Sequence, residues 1–242
     1  MHIVSQSAPT ILFEDARLLA INKPAGLVVH SDGRTEEPSL VDWVMEHYPE
    51  LEEVGGLHTL DSGRYEKRWG IIHRLDRDTS GVLLIAKDAE TFLDVQRQFI
   101  ERKTEKTYHA IVWGTLPEKN GLIELPIGRS RVDFRQWAVA PIARGTLHPA
   151  ITEYHVLGDY DGFTLVELHP KTGRTHQLRV HLLALGHPIL VDTRYAPERG
   201  KALGFTRLAL HAYNIRFTYQ GQSHEITAPY PEDFEGAVRL FA

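Results

Sequence analysis

The sequence predicts an α+β fold built on a central sheet that is largely antiparallel or mixed. Strand-like stretches come mostly as pairs joined by short Gly and Asp turns, which is typical of hairpins. Segments with helical spacing of apolar residues lie between these pairs. A doubly wound parallel sheet would instead alternate single strands with helices, so the pattern argues against that class.

The chain begins with a predicted pair of strands. Both fall in the stretch TILFEDARLLAINK, and Pro24 and Gly26 mark the loop that follows. A helix is predicted in SLVDWVMEHYP, where Ser39 and Asp42 have the spacing of a capping box. The polar, Gly-rich residues 52–70 predict a mobile loop.

The middle of the chain predicts a buried strand and an amphipathic helix. The strand is GVLLIAK, and the helix follows in DAETFLDVQRQFIERK with Asp88 as its N-cap. On this helix we expect Phe92, Phe99 and Ile100 to face inward. The next stretch, KTYHAIVWG, alternates as a strand does.

The C-terminal part predicts two hairpins around one helix. The hairpins are AITEYHVLGDYDGFTLVELHP and LALHAYNIRFTYQGQSHEITAP. Between them, RTHQLRVHLLALG places Leu178, Leu182 and Leu185 on one stripe, and Gly186 is the expected stop. A short helix is predicted in EDFEGAVRLF at the end.

Composition excludes several classes of protein. The 242 residues suffice for one large domain or two lobes, and the chain has no cysteine. Disulfides, thiolate catalysis and Cys-based zinc sites are therefore excluded. No apolar run reaches the roughly 20 residues that a membrane helix needs, and the first residues lack a signal peptide's pattern. We expect a cytoplasmic protein with no membrane association.

The distribution of charge is more informative than its sum. A net charge of −5 argues weakly against a nucleic-acid partner, because phosphate binding requires cations. However, cations cluster in RQFIERKTEK, GRSRVDFRQ and PKTGRTHQLRVH. These clusters are either RNA-binding surfaces or ordinary solvated faces of mixed sign.

One stretch, IIHRLDRDTSGVLLIAK, places a dense group of charges between two apolar segments. The spacing from Asp76 to Gly81 resembles the start of an EF-hand loop, but Lys87 stands where the bidentate glutamate belongs. A serine hydrolase is not favoured, because no G-x-S-x-G elbow occurs. The remaining interpretation is that Asp76 stays ionised beside an arginine, either as a nucleophile or base or as half of a structural ion pair. Both alternatives stay open on the residues alone. The candidate arginines are Arg74, Arg77, Arg174 and Arg179.

A histidine-based metal site is a further alternative. His169, His176, His181 and His187 fall in one short segment. The pair His176 and His181 is five residues apart, which turns the two rings away from each other on a helix. No acidic residue flanks them to orient the rings. We expect structural or RNA-contacting histidines here, and no metal.

Five motifs together resemble the RluA class of RNA pseudouridine synthases. They are INKPAGLVVH, HRLDRDTSGVLLIAK, EKTYHAIVWG, PKTGRTHQLRVHLLALGHPIL and RLALHAYNI, in the order in which that family has them. They cover the chain from about Ile11 to Pro231. The resemblance implies the pseudouridine synthase fold, with a mixed, largely antiparallel sheet in two lobes, flanking helices and an active-site cleft.

The resemblance also implies the chemistry and its residues. The family isomerises uridine within RNA, exchanging the bond from sugar to uracil nitrogen for one to carbon, and uses no cofactor or metal. Asp76 would be the essential carboxylate, Arg179 would keep it ionised, Tyr108 would stack on the target base, and Arg74 would fill the space that the flipped uridine leaves. We expect further RNA contacts from these residues: His73, Arg77, Lys106, Lys171, Arg174 and His176.

The expected organisation is a short N-terminal extension, residues 1–10, followed by a catalytic domain, residues 11–242. The small basic RNA-binding domain that many relatives carry is expected to be absent. Val191 stands where relatives usually show glycine, and residues 57–70 are longer and more polar than in the family pattern. We expect a monomer that modifies ribosomal or transfer RNA and needs no protein partner. The alternative is a catalytically silent RNA-binding or RNA-folding protein on the same scaffold.

Overall fold

In the computed structural model the described residues are 8–31, 37–59, 63 and 65–241. These described residues divide into two compact units: one comprises those up to Thr104 together with Asn214–Pro229, and the other comprises Glu105–Tyr213 together with those from Tyr230 onward. The strand pairs with a described register are antiparallel in both units. The prediction of an α+β fold with a largely antiparallel sheet is therefore confirmed. Most of the predicted extension, residues 1–7, lies outside the described residues.

The first unit is built on strands packed against two helices. Its elements are β1 (Thr10–Glu14), β2 (Leu18–Lys23), α1 (Leu40–His47), a 3₁₀ turn (Pro49–Leu51), β3 (Leu57–Thr59), β4 (Tyr65–Lys67), β5 (Ser80–Ala86) and α2 (Ala89–Ile100). Strand β2 lies between β1 and β5, and all of β5 is buried. A continuous apolar run suits such a central strand, because neither of its faces meets water.

Local signals in the first unit formed as predicted, with one exception. The Ser39 hydroxyl accepts the Asp42 N–H, and the Ser39 N–H donates to the Asp42 carboxylate, which completes the capping box. Asp88 caps α2 by accepting the Thr91 N–H at 2.9 Å. The prediction that Ile100 faces inward is wrong, because its side chain is 74% exposed at the end of α2.

The segment expected to be only a loop, residues 52–70, contains a small hairpin. Strands β3 and β4 pair as a separate two-stranded sheet. Alternation is too short here to predict strands, because each has three residues. Residues 60–62 and 64 of the predicted mobile loop lie outside the described residues.

The second unit carries the longer hairpins. Its elements are β6 (Glu105–Trp113), β7 (Asn120–Glu124), β8 (Ile127–Ser130), β9 (Trp137–Val139), β10 (Ala143–His148), β11 (Ile151–Tyr160), β12 (Phe163–Pro170), α3 (Gln177–Ala184), α4 (Glu232–Val238) and a 3₁₀ turn (Arg239–Phe241). Neighbouring strands follow the order β6-β12-β11-β7, and β10-β8-β9 form a separate sheet. The predicted β11–β12 hairpin is confirmed, whereas β7 to β10 were not predicted.

Two further elements complete the fold. Strand β13 (Leu210–Tyr219) begins in the second unit and ends in the first, where its last residues pair with β14 (Gln222–Thr227). In α3, Leu178 and Leu182 of the predicted stripe are buried, and Gly186 ends the segment with φ at 83°. The third residue of that stripe, Leu185, follows the last helical residue and is 38% exposed, so its placement on the helix is wrong. Within the described part of the chain, no helix is both long and apolar enough to cross a membrane.

Candidate active site

Asp76 lies in a tight turn immediately before the buried strand β5. The Thr79 N–H donates to the Asp76 carbonyl at 3.2 Å, which closes the turn. Leu75 is buried and Asp76 is half-buried, while Arg74 and Arg77 are exposed. The turn thus buries the Leu75 side chain and leaves the two arginines exposed on either side of the Asp76 carboxylate.

A buried lysine from the N-K-P segment holds this turn in place. The Lys23 side chain is fully buried, and its ammonium donates to the carbonyls of Pro24 at 2.9 Å, Leu27 at 2.8 Å and Arg77 at 3.0 Å. The Gly26 N–H donates to the same Arg77 carbonyl at 2.9 Å. A buried ammonium requires such partners, so Lys23 fixes the backbone directly after Asp76.

The flanking residues of the turn have partners within the first unit. His73 Nε2 accepts the Leu84 N–H at 3.1 Å, and its ring stacks on Phe99 with 4.6 Å between the centroids. The Arg77 guanidinium pairs with Glu37. His73 therefore has an internal structural role, in addition to the RNA contact that the resemblance implies.

Strand β6 places Tyr108 and Lys106 on one face, because side chains alternate along a strand. Tyr108 is half-buried and packs against the apolar core of the second unit. The opposite face carries His109, whose Nε2 lies 3.2 Å from the Glu167 carboxylate. Tyr108 thus has a fixed backbone position and a partly accessible ring.

Arg179 forms a buried bidentate ion pair with Asp192 in the second unit. Its Nε donates to Oδ2 at 2.8 Å and its Nη2 to Oδ1 at 2.7 Å. Only 7% of Arg179 and 1% of Asp192 is exposed. The preceding residue, Val191, has φ at 56°, a left-handed conformation that glycine adopts without strain. This conformation gives a physical reason for the glycine of the family pattern at that position.

Tyr195 connects Arg179 to the start of α3. The Arg179 guanidinium lies 4.9 Å from the centre of the Tyr195 ring, and the Trp137 N–H donates to the Tyr195 hydroxyl at 3.1 Å. Burial raises the pKa of Tyr195 to about 12, so the hydroxyl keeps its proton. The Tyr195 hydroxyl lies 2.8 Å from His176 Nδ1, within hydrogen-bond distance. His176 itself has φ at 54° and precedes α3.

A buried polar network explains the remaining residues of the G-R-T-H-Q-L-R-V-H segment. Gln177 Nε2 donates to the Thr152 hydroxyl at 3.0 Å, and that hydroxyl is 2.9 Å from His181 Nδ1. His181 Nε2 is 2.9 Å from the Leu125 carbonyl, which can only accept. His181 therefore carries its proton on Nε2 and accepts at Nδ1. Burial lowers the pKa of His181, which keeps the ring neutral.

Two basic residues near the N-terminal end of this segment are accessible: Lys171 is exposed and Arg174 is half-buried. The Lys171 ammonium pairs with Glu153 at 2.6 Å, and Arg174 Nε donates to the Pro149 carbonyl at 3.2 Å. The four histidines considered as a metal site have separate partners in the second unit: Glu167 for His169, Tyr195 for His176, Thr152 for His181 and the Trp113 carbonyl for His187.

The three-stranded sheet β10-β8-β9 forms a basic cavity, to which the predicted cationic cluster GRSRVDFRQ contributes Arg129. The cavity has a volume of about 370 Å³ and is lined by Arg129, Trp137, Arg144, Gly145, Thr146 and His148. The Arg129 guanidinium lies 4.3 Å from the centre of the Trp137 ring. In single-strand binding proteins, bases stack on aromatic side chains within positively charged grooves, and arginine adds cation–π interactions.

The candidate residues are thus distributed over both units. Asp76, Arg74, Arg77 and His73 belong to the first unit, and Tyr108, Lys106, Arg179 and the 171–176 residues belong to the second. The roles of Lys23 and Asp192 were not predicted from the sequence. The sequence holds one signal for each residue: Lys23 ends the apolar stretch LLAIN, and Asp192 ends the apolar stretch ILV.

Solved structures place this fold in a known class. A human structure titled RNA Pseudouridylate Synthase Domain Containing 1 matches with a TM-score of 0.73 and 27% identity, covering 96% of this chain and 87% of that one. A second, RNA Pseudouridylate Synthase Domain Containing 4, matches with a TM-score of 0.71 and 27% identity, covering 95% and 91%. The fold is that of the pseudouridylate synthases.

Sequence comparisons agree and give the family. Residues 17–184 match the family model described as RNA pseudouridylate synthase. Ribosomal large subunit pseudouridine synthase D of Nitrosomonas europaea is 39% identical over 95% of this chain, which spans 64% of that protein's length. An uncharacterized RNA pseudouridine synthase of Synechocystis is 34% identical over 97% of this chain and 70% of its own length. The chain belongs to the RNA pseudouridylate synthase family.

Proposed function

We propose that this protein isomerises uridine in structured RNA to pseudouridine. In that reaction the bond from ribose C1′ to uracil N1 breaks and a bond from C1′ to C5 forms. The hydrogen on C5 leaves as a proton and N1 gains one, so the reaction needs no oxidant, reductant or added group. Only acid–base and nucleophilic groups are required, which the side chains described above can supply.

Within this proposal, Asp76 attacks the sugar carbon or otherwise assists cleavage of the glycosidic bond. Arg179 supplies a counter-charge that keeps Asp76 ionised. A guanidinium carries five N–H donors, of which Asp192 accepts two. The bidentate pair fixes the plane of the guanidinium, so the direction of its other donors is fixed as well.

Base flipping accounts for the other proposed roles. A uridine inside a stack is unreachable, and extrusion costs a few kcal/mol of stacking and pairing. Tyr108 offers a half-buried ring to the flipped uracil, and Arg74, exposed in the Asp76 turn, would fill the vacated space. Phosphate contacts would come from His73, Arg77, Lys106, Lys171, Arg174 and His176, and the Arg129–Trp137 cavity adds a stacking surface.

The single observation that supports this best is the Asp76 turn itself. A carboxylate stands half-buried in a turn whose backbone is held by a buried ammonium, with exposed arginines on both sides. A catalytic group needs such a fixed position. A solvated surface loop would not require a fully buried lysine to hold it.

Ribosomal RNA is the substrate that we propose to test first. Two relatives, from Nitrosomonas europaea and Vibrio parahaemolyticus, are named ribosomal large subunit pseudouridine synthase D. Transfer RNA is the alternative. The proposal also includes a catalytic domain spanning residues 11–242, a monomeric state, a cytoplasmic location and no cofactor.

The competing function is a silent RNA-binding or RNA-folding protein on the same scaffold. Tritium release from RNA labelled at uracil C5 separates the two, because only isomerisation removes the C5 hydrogen. We expect release from ribosomal or transfer RNA transcripts, with pseudouridine appearing in the nucleoside digest. RNA binding without release from either RNA class would favour the silent alternative.

A second experiment identifies which uridine in the RNA is modified. Pseudouridines mapped across total RNA should include at least one site that is lost from cells without this gene and restored by the wild-type gene. Restoration by an Asp76→Asn gene would contradict catalysis by this carboxylate.

A further inference from the structure

A cluster of two histidines and a glutamate in the first unit has no role in the function proposed above. His58 lies in β3 and Glu66 in β4, and the two are directly opposite in the register of this hairpin. Their side chains therefore share one face, on which directly opposed Cβ atoms lie about 4.5–5.5 Å apart. His30, from the loop after β2, completes the cluster.

The three side chains are close enough to bind one ion. One potential ligand atom from each lies within 4.8 Å of those of the other two. The His30 and His58 rings have centroids 4.3 Å apart, and His30 Nδ1 is 3.6 Å from Glu66 Oε2. Ligands about 2.0–2.2 Å from a tetrahedral zinc lie roughly 3.3–3.6 Å from one another. Small side-chain rotations would therefore suffice to reach zinc geometry.

The histidine nitrogens are suited to a metal. Among the described residues, His30 Nδ1 and His58 Nδ1 are buried and lack a hydrogen-bond partner. A buried imidazole nitrogen without a hydrogen-bond partner is open to a metal ion, and imidazole nitrogen is the commonest metal ligand in proteins.

The β3–β4 hairpin has little apolar packing of its own. Its two strands have three residues each, and Leu57 and Tyr65 are 63% and 72% exposed. An isolated two-stranded hairpin is marginally stable in water unless it has an apolar face to bury. Here the cluster face presents His58 and Glu66 instead, and such a face is suited to a metal ion rather than to apolar packing.

We propose that His30, His58 and Glu66 bind a zinc ion that fixes the β3–β4 hairpin to the loop after β2. Two imidazoles and one carboxylate are a ligand set that zinc accepts, with water as the fourth ligand. Magnesium and calcium prefer all-oxygen sites. The charges of Arg68 and Arg74 oppose any cation here, so the Glu66 carboxylate is needed to offset them. The ion has no part in the isomerisation.

Calorimetric titration of the purified, metal-stripped chain with zinc chloride near neutral pH tests this site. We expect one saturable site per chain. His58→Ala and Glu66→Gln should each weaken zinc binding at least about 10-fold, because even indirect partners of metal ligands contribute that much. His155→Ala is the matched control, since His155 is an exposed histidine of the second unit. It should leave the affinity unchanged, and magnesium should not compete.

Hydrogen exchange gives a second readout that does not depend on activity. Zinc should slow amide exchange in 57–59 and 65–67 of the wild type, and not in Glu66→Gln, whose near-isosteric change should leave the fold intact. Failure to bind zinc, or binding and protection that persist in both cluster variants, would overturn the proposal. Because neither measurement uses RNA, the result is independent of the proposed isomerase activity.

Discussion

Arg179 and Asp192 form a two-point ion pair inside the second unit, with N–O distances of 2.8 and 2.7 Å. Asp192 also accepts the backbone N–H of Tyr195 at 3.1 Å, so it joins the helix carrying Arg179 to the loop that follows. This pair creates an ambiguity for any substitution of Arg179. A loss of activity could follow from the lost counter-charge of Asp76 or from a damaged core.

A double variant separates these two effects. Arg179→Met should remove most activity and also destabilise the protein by about 3–5 kcal/mol, because Asp192 is left buried without its partner. Arg179→Met/Asp192→Asn removes both charges, and the Asn oxygen can still accept the loop N–H groups. We expect the double variant to regain most of the stability but none of the activity. Urea unfolding and single-turnover tritium release measure the two quantities. If activity returned together with stability, Arg179 would have only a structural role.

Tyr108 provides a test of base stacking. Tyr108→Ala should lower the single-turnover rate by about 5- to 150-fold, equivalent to the roughly 1–3 kcal/mol that stacking on one base contributes. Tyr108→Phe keeps the ring and should retain most of the rate. Tyr160→Ala removes a ring that is 40% exposed elsewhere in the same unit and serves as the control. Equal rates for the Ala variant and the wild type would mean that the uracil stacks elsewhere.

His181 predicts a specific acid sensitivity. Its pKa is lowered by burial in the folded state and is about 6.5 in the unfolded chain. Its contribution to stability is therefore complete above about pH 6.5 and decreases as the pH falls toward the folded pKa, because the unfolded chain binds the proton first. Protonation would also make both ring nitrogens donors, although Nδ1 accepts from Thr152.

Urea unfolding of wild type and His181→Asn across this pH range measures the effect. Below about pH 6.5 the wild type should lose up to about 1.4 kcal/mol per pH unit more than the variant, which is the limit for one proton. Above that pH the two slopes should coincide. Parallel curves throughout would mean that His181 titrates normally in the folded protein.

RNA binding should weaken as salt rises, because each phosphate contact releases counterions. Lys171→Gln and Arg174→Gln should each lower affinity for different RNA sequences by similar factors and reduce the log–log salt slope by about 1. Lys119→Gln is the control, since this lysine is 66% exposed and paired with Asp159 outside the basic clusters. If the salt slope were unchanged in Lys171→Gln and Arg174→Gln, the cluster PKTGRTHQLRVH would be an ordinary solvated face and not an RNA-binding surface.

The sequence predicted best the features that depend on neighbouring residues. The capping box of Ser39 and Asp42, the Asp88 cap and the stop at Gly186 involve partners a few positions apart, and all three formed as expected. The inward orientation of Ile100 was wrong because only packing decides which residues at a helix end meet a neighbour.

Features that depend on distant partners were missed. Lys23 looks like a surface residue in the sequence, and its role follows from the carbonyl of Arg77, 54 positions away. The role of Asp192 follows from its contact with Arg179, and that of His30 follows from its contact with Glu66. No spacing in the sequence predicts either contact. The family motifs indicated which segments matter, but not which of their residues hold the others in place.

Asp76 is the residue on which the proposed chemistry depends most. Asp78 is a useful comparison, since it is half-buried in the same turn and carries the same charge. Single-turnover tritium release should therefore be measured for Asp76→Asn and Asp78→Asn, with RNA affinity determined in parallel. We expect no detectable release from Asp76→Asn with RNA affinity within a few-fold of wild type, and near-normal release from Asp78→Asn. Wild-type release by Asp76→Asn would contradict the account.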